Sequence, residues 1–390
     1  MSPVTILGIC QILGWGSSFY LLAVLAKPIA EETGWSFSWV VGGVSVGLLV
    51  AGLVSRHVGR AIHRHGGRPI LIGSSLLLAM GLAVLSQASN FAIYVLAWAI
   101  IGLGMGSGLY DAAFSTLGRL YGDAARRPIT ALTLWGGFAS TVCWPLSAYL
   151  AESIGWRETC LVYTALHLLI GLPLHAFAVP RELRASDRAK PASTDAPAAP
   201  TAPRVRSTWL FPVLASLITA GSAIVSIIGV HLLTILQARD LTLATAVALG
   251  TLVGPSQVGA RVVEILFGNR YHPIWTMAAS AVLMAAGLAV LSASIPLVAF
   301  GLIVYASGVG IQSIARGTLP LALYGQTGYA VVMGRLAMPA LIAQSISPTL
   351  AAMLLQAAGV SATLATLTGI AAANIAMVAL LWRIKNRSGD

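Results

Sequence analysis

Several ionisable and polar residues lie inside long apolar runs of this chain, where they are costly and therefore candidates for chemistry. Asp111, in Tyr110-Asp111-Ala112-Ala113-Phe114, could accept a proton or pair with an arginine such as Arg119, two turns on. His231, near the outer third of its run, suits a proton shuttle or a packing role equally. Arg261, late in another run, could meet an anionic substrate. Glu264 lies three residues on and shares its helix face, so the two could equally pair with each other. Gln11, Trp15 and Ser18 are spaced by four and three and form one helical face. An aromatic ring with polar groups suits a cavity lining, and it also suits helix–helix hydrogen bonding around Gly14 and Gly16. Gln257 and Gln312 offer matching polar groups in later runs.

The elements that must carry these residues are membrane helices. Of 390 residues, 57% are hydrophobic and only 9% are charged. A soluble chain of this size cannot hide so much apolar surface. A bilayer core roughly 30 Å thick needs about 20 apolar residues per helix. Twelve segments qualify, at 4–26, 37–58, 69–88, 91–117, 128–151, 157–179, 209–236, 242–266, 272–292, 295–315, 330–356 and 360–382. The runs are continuous rather than alternating, which excludes a transmembrane β-barrel. The expected fold is all-α, with twelve transmembrane helices.

The net charge of +11 is topology and not a nucleic-acid footprint. With the N-terminus in the cytoplasm, Arg56, Arg60, Arg64, Arg68, Arg119, Arg126, Arg127 and the later basic clusters fall on the inner face. Only Lys27, Arg157 and Arg239 fall outside. This asymmetry predicts cytoplasmic termini in a multi-pass protein of the inner membrane. Cys10, Cys143 and Cys160 lie within spans without metal-ligand spacing. No nucleotide-binding glycine loop, zinc-protease motif or nucleophile elbow is present. No enzyme activity, cofactor or metal is expected.

The segment Arg181–Ser207 is charged and then rich in Pro, Ala, Ser and Thr, and reads as a flexible cytoplasmic linker. It divides the chain into an N-terminal six-helix bundle (1–180), a disordered linker (181–208) and a C-terminal six-helix bundle (209–390). A short echo supports duplication. Gly59-Arg60-Ala61-Ile62-His63 is matched by Ala260-Arg261-Val262-Val263-Glu264, with Gly66 and Arg68 answered by Gly268 and Arg270.

The loop Gly59-Arg60-Ala61-Ile62-His63-Arg64-His65-Gly66-Gly67-Arg68 resembles the signature between the second and third spans of the major facilitator superfamily. Gly59, Arg64, Gly66 and Arg68 match, while His63 stands where that family usually carries aspartate. Gly155-Trp156-Arg157 resembles another recurrent element of the family. The resemblance implies two bundles that alternately expose one midplane site, with the loop residues, Glu264 and Arg270 as a gate. The stretch from His231 to Thr242, Trp35-Ser36 before Val41-Gly42-Gly43, and Arg261 are similar to the monocarboxylate and oxalate–formate branch. Departures at Trp98, Ala99 and Trp144 argue against a typical proton-coupled drug exporter. The expected function is secondary transport of a small organic anion, proton-coupled or by exchange, in a monomer. Partners are the substrate, a coupling ion and lipid. Substrate contacts are expected from Gln11, Trp15, Ser18, Gln257, Arg261 and Gln312, and proton coupling from Asp111 or His231. Efflux of hydrophobic or cationic compounds is the alternative; a membrane receptor or scaffold is the alternative of another class.

Overall fold

A computed structural model describes residues 2–180, 208–293 and 297–387. The expected linker 181–208, except Thr208, lies outside them. All regular elements among the described residues are helical. Packing groups the chain into two compact units, Met1–Ala202 with Gly325–Met338, and Pro203–Tyr324 with Pro339–Asp390.

The first unit contains α1 (Pro3–Gly16), α2 (Leu22–Thr33), α3 (Phe37–His65), α4 (Gly67–Ser86), α5 (Phe91–Gly108), α6 (Tyr110–Tyr121), α7 (Arg126–Gly137), α8 (Ala139–Ile154) and α9 (Trp156–Leu166). The last continues through two π turns, His167–Gly171 and Leu174–Ala178. Local chemistry sets the starts. Ser2 and Asn90 accept the free N–H groups of Thr5 and Ile93 at 3.2 and 3.0 Å. Only Gly66 separates α3 from α4, and its φ of 86° is open chiefly to glycine. Leu7, Leu25, Tyr94, Trp98, Phe114 and Tyr163 fill the core.

The second unit contains α10 (Leu210–Gln237), α11 (Leu243–Gly250), α12 (Val253–Phe267), α13 (Pro273–Ala293), α14 (Val298–Tyr324) and most of α15 (Tyr329–Arg387). Gly359 breaks α15 at φ 77°. Its core gathers Ile224, Leu288, Leu302, Tyr305 and Leu364.

Nine helical stretches among the described residues are long and apolar enough to cross a membrane. Two of them, Phe91–Ile154 and Tyr329–Arg387, run to 64 and 59 residues, long enough for two crossings each at 1.5 Å per residue. Phe177 and Leu169 are 85% and 75% exposed, apolar surface of the kind a bilayer covers. This is a multi-pass membrane protein.

One joint is built twice. Ser74 Oγ donates to the Gly104 carbonyl at 2.9 Å between α4 and α5, and Ser280 Oγ donates to Gly308 at 2.8 Å between α13 and α14. Gly81 lies against Ile101 and Gly287 against Tyr305; Gly106 meets Ala51 and Gly310 meets Gln257. On this register Arg261 corresponds to Ser55 and Arg270 to Arg64. The sequence echo had matched Arg261 to Arg60. The repeat follows close helix approaches, and these put its register elsewhere than the loop glycines suggest.

Two tie points close the first unit. At one end, α3 crosses the opening of α15, where a methyl group added to Gly59 would strike the Ala330 carbonyl and one added to Gly334 the Ser55 carbonyl. Ser55 Oγ donates to the Gly334 carbonyl at 2.9 Å. At the other, Glu32 accepts from Trp156 Nε1 at 2.6 Å and from Arg157 Nε at 2.8 Å. Arg157 also donates to the Ser86 and Ala88 carbonyls at 2.7 and 3.0 Å, satisfying groups that the end of α4 leaves open, and its guanidinium stacks over Trp156.

Arg157→Ala should therefore cost about 1–3 kcal/mol, since several charged hydrogen bonds go but the pair is partly solvated. The purified protein should melt several degrees lower, and Glu32→Gln should fall between. Gly59→Leu should be worse than Ser55→Ala, because overpacking forces the backbones apart while the serine change loses one hydrogen bond of about 1 kcal/mol. Equal melting temperatures for the two variants would contradict the close crossing.

Candidate functional site

The first unit interrupts two of its helical paths at mid-length. The chain turns through Ser17–Leu21 between α1 and α2, and bends at Leu109, with ψ −167°, between α5 and α6. Broken backbone at membrane depth must be satisfied by protein or by a cavity. Gln11 does this at Leu109's side, donating from Nε2 to the Gly108 carbonyl at 2.7 Å. Its Oε1 accepts from Trp15 Nε1 at 3.0 Å, so it also fixes the indole. Ser18 is fully buried and donates to its own helix at Gly14. Of the three residues on the expected polar face, Trp15 alone keeps partial exposure; Gln11 positions it and Ser18 looks inward.

Trp15 is the middle of an aromatic string that the sequence did not assemble. Its ring centroid lies 5.5 Å from Phe19 and 5.1 Å from Tyr110, and Tyr20 lies 5.9 Å from Trp144. Beside Trp144 a cleft of about 410 Å³ opens between α2 and α8, lined by Ala23, Val24, Ser140, Thr141 and Pro145. Such a surface can stack a flat ring or face a cation.

Asp111 follows Tyr110 in the first turn of α6, where free N–H groups favour a carboxylate. Arg119, at the other end of α6, is buried and donates from Nη1 to the His63 carbonyl at 2.7 Å. At the position usually held by an acid, the chain thus offers a backbone oxygen at the C-terminus of α3. Arg68 donates to the Ala176 carbonyl, and Gly67 lies against Thr116. Arg64 is exposed, and His63 partly so. The loop residues are brought together with α6 and α9 by donors aimed at helix ends.

In the second unit Arg261 is 5% exposed. Its Nε donates to the Gly310 carbonyl on α14 at 3.3 Å, and Nη2 to Gln257 Oε1, one turn back, at 3.4 Å. Arg261 and Gln257 are therefore brought together. Gln312, two residues past Gly310 and so on another face of α14, lies against Gly221 of α10. Glu264 turns to α13, where Thr276 Oγ1 donates to its Oε1 at 2.7 Å. Arg270 is exposed. His231 Nε2 donates to the Pro348 carbonyl at 2.8 Å. Nearby, Pro348 lacks the N–H that would reach Gln344, and Ser226 Oγ supplies that carbonyl at 2.8 Å. His231 sits in this α10–α15 brace.

Two histidines escaped the sequence reading altogether. His167 and His175 are 2% and 4% exposed inside the π-turned end of α9, beside Ser17 and Ser75. Neither was weighed as an ionisable residue in a span, which is the signal that would have found them. No cluster of three or more His, Cys, Asp or Glu among the described residues is arranged to hold a metal.

Comparison with known proteins gives this architecture a place. The Major Facilitator Superfamily model matches residues 5–273. The fold matches the human organic anion transporter TETRAN with a TM-score of 0.77 at 16% identity, over 96% of this chain and 98% of that one. It matches the fucose:proton symporter FucP of E. coli at 0.70 and 17%, over 98% of both chains. It matches the proton:xylose symporter XylE at 0.74 and 12%, over 97% and 94%. At such identities these show the fold alone. A Pseudomonas aeruginosa protein named "Transcription regulatory protein OpdE" is 27% identical over 168 residues, 42% of this chain. The chain spans about two fifths, 41%, of the length of that curated relative. Two bundle-like helical units, a duplicated α4–α5 joint and a family match over more than half the sequence agree: the chain belongs to the major facilitator superfamily.

Proposed function

We propose that this protein is a secondary transporter that moves a small organic anion across the inner membrane by alternating access. Its twelve crossings form two six-helix bundles joined by the linker 181–208, with both termini in the cytoplasm. The charge asymmetry supports that topology. One observation carries the substrate class: a guanidinium, Arg261, is buried at 5% exposure in a membrane-crossing helix and oriented by Gln257 and the Gly310 carbonyl. A charged side chain inside a membrane span is costly to bury and marks a candidate substrate contact. A guanidinium suits a carboxylate in fork geometry. The printed name of the human structural relative, an organic anion transporter, agrees with this reading. Its nearness to the monocarboxylate branch rests on sequence motifs only.

Coupling to protons falls to Asp111, at the start of α6 beside the Leu109 bend. His231 has its Nε2 hydrogen engaged by Pro348 and serves the α10–α15 brace.

The aromatic string favours a second reading. Trp15, Tyr20, Tyr110 and Trp144, with Asp111 adjacent in sequence, would suit a lipophilic cation and therefore efflux. The name of the Pseudomonas relative keeps a third alive, a membrane receptor or scaffold that does not translocate.

Thermal stability of the purified protein against carboxylates, sugars and lipophilic cations separates these. A ligand at a hundredfold excess over its Kd stabilises the fold by about 2.7 kcal/mol. Carboxylates should raise the melting temperature of the parent and leave Arg261→Gln unmoved. A shift with tetraphenylphosphonium, lost in Asp111→Asn, would give the efflux reading the lead.

A further inference from the structure

Inside the first unit, behind both helix interruptions, lies a small cavity of about 10 Å³. That is at the lower bound, about 10–15 Å³, for one water molecule. Gly14 and Leu13 from the end of α1, Gly108 and Leu109 from the bend after α5, and His167 and His175 from α9 line it. In a plain α-helix residues eight apart lie about 80° apart around the axis. The two π turns underwind α9 and bring both imidazoles to one hole.

The hydrogen-bond accounting leaves one group over. Ser17 Oγ gives its hydrogen to the Leu13 carbonyl at 2.8 Å, so at 2.7 Å it accepts from His167 Nε2. His167 then keeps Nδ1 as an acceptor. Ser75 Oγ meets His175 Nδ1 at 2.9 Å. The Leu71 carbonyl is a further hydrogen-bond acceptor for this imidazole, while Nε2 is buried without a protein partner. Buried polar atoms in this situation are met by ordered water.

We propose that this cavity is a binding site for one water molecule, held by two uncharged histidines against the interruptions of α1–α2 and α5–α6. The water hydrogen-bonds His175 Nε2. Acceptors for its own hydrogens are Ser74, whose hydrogen goes to Gly104, and His167. No carboxylate lines the cavity. The other titratable lining group is Cys10 of α1, and from α4 the Arg68 guanidinium donates to Ala176, next to His175. A charged imidazole would have no counter-charge there, so the pair holds water and passes no proton. The site locks α9 to both interrupted helical paths and does not depend on the substrate.

The test is solid-state NMR of the full-length protein in lipid nanodiscs, with ¹⁵N-labelled histidine. Loss of signals in His167→Gln and His175→Gln assigns two of the seven histidines. Both should keep one protonated and one bare nitrogen from pH 5.5 to 8, and the His175 ring should show cross-relaxation to a long-lived water. Conversion of either ring to the doubly protonated form in that range would overturn the proposal, as would a His175 ring with no water contact. Since the readout is the imidazoles and not flux, either result leaves the transport assignment untouched.

Discussion

Backbone carbonyls freed by breaks, prolines and helix ends have no water to turn to inside a bilayer, and this fold is organised by the side chains that satisfy them. Gln11 serves Gly108 before the Leu109 bend, and Ser226 serves Gln344, which Pro348 leaves open. Ser74, Ser280, His231 and Arg261 add a second bond to the Gly104, Gly308, Pro348 and Gly310 carbonyls and so tie neighbouring helices together. At the helix ends Arg119, Arg157 and Arg239 do the same for His63, Ser86 and Leu291. Each such bond is worth only about 0.5–3 kcal/mol net. Leaving a carbonyl bare in hydrocarbon costs more, and this asymmetry fixes which helices can lie together.

That constraint changes how the polar residues of the spans are understood. From sequence, an intramembrane Gln, Ser or His reads as a substrate contact. In the fold, Gln11 orients Trp15 and His231 braces a proline-containing helix. The residues proposed for substrate and coupling are a short set: the buried Arg261 with Gln257, Asp111 beside the Leu109 bend, and the ring string around Trp15. The matching contacts Ser74–Gly104 and Ser280–Gly308 repeat one helix joint in the two units, with Arg261 where the first joint has Ser55. A small hydroxyl in one copy and a guanidinium in the other is the kind of divergence that would give a duplicated scaffold one charged binding side.

The helices themselves were legible in the sequence, because runs such as Trp39–Val58 and Pro69–Gln87 admit no other structure of that length and hydropathy. So was the short connection at Gly66, which the glycine and the flanking basic residues announce. The interruptions at Ser17–Leu21 and Leu109 were not, since both lie within apolar sequence carrying no proline. The π turns around His167 and His175 flank Pro173, which marks a disturbed helix there but not its π form. Nor could spacing alone tell that Ser18 faces inward while Trp15 does not: three residues on one helical arc diverge once the helix ends between them. Pairing at a distance, such as Glu32 with Arg157 or Ser55 with Gly334, depends on which helices touch, and no local pattern encodes it.

The central claim is that the chain carries small organic anions across a membrane through a site that includes Arg261. Counterflow of radiolabelled carboxylates in proteoliposomes tests it most directly, with acetate, lactate, oxalate and benzoate as probes. The account predicts saturable exchange of at least one of them by the parent protein, reduced at least tenfold in Arg261→Gln at equal incorporation. No exchange of any carboxylate, or exchange indifferent to Arg261, would contradict it.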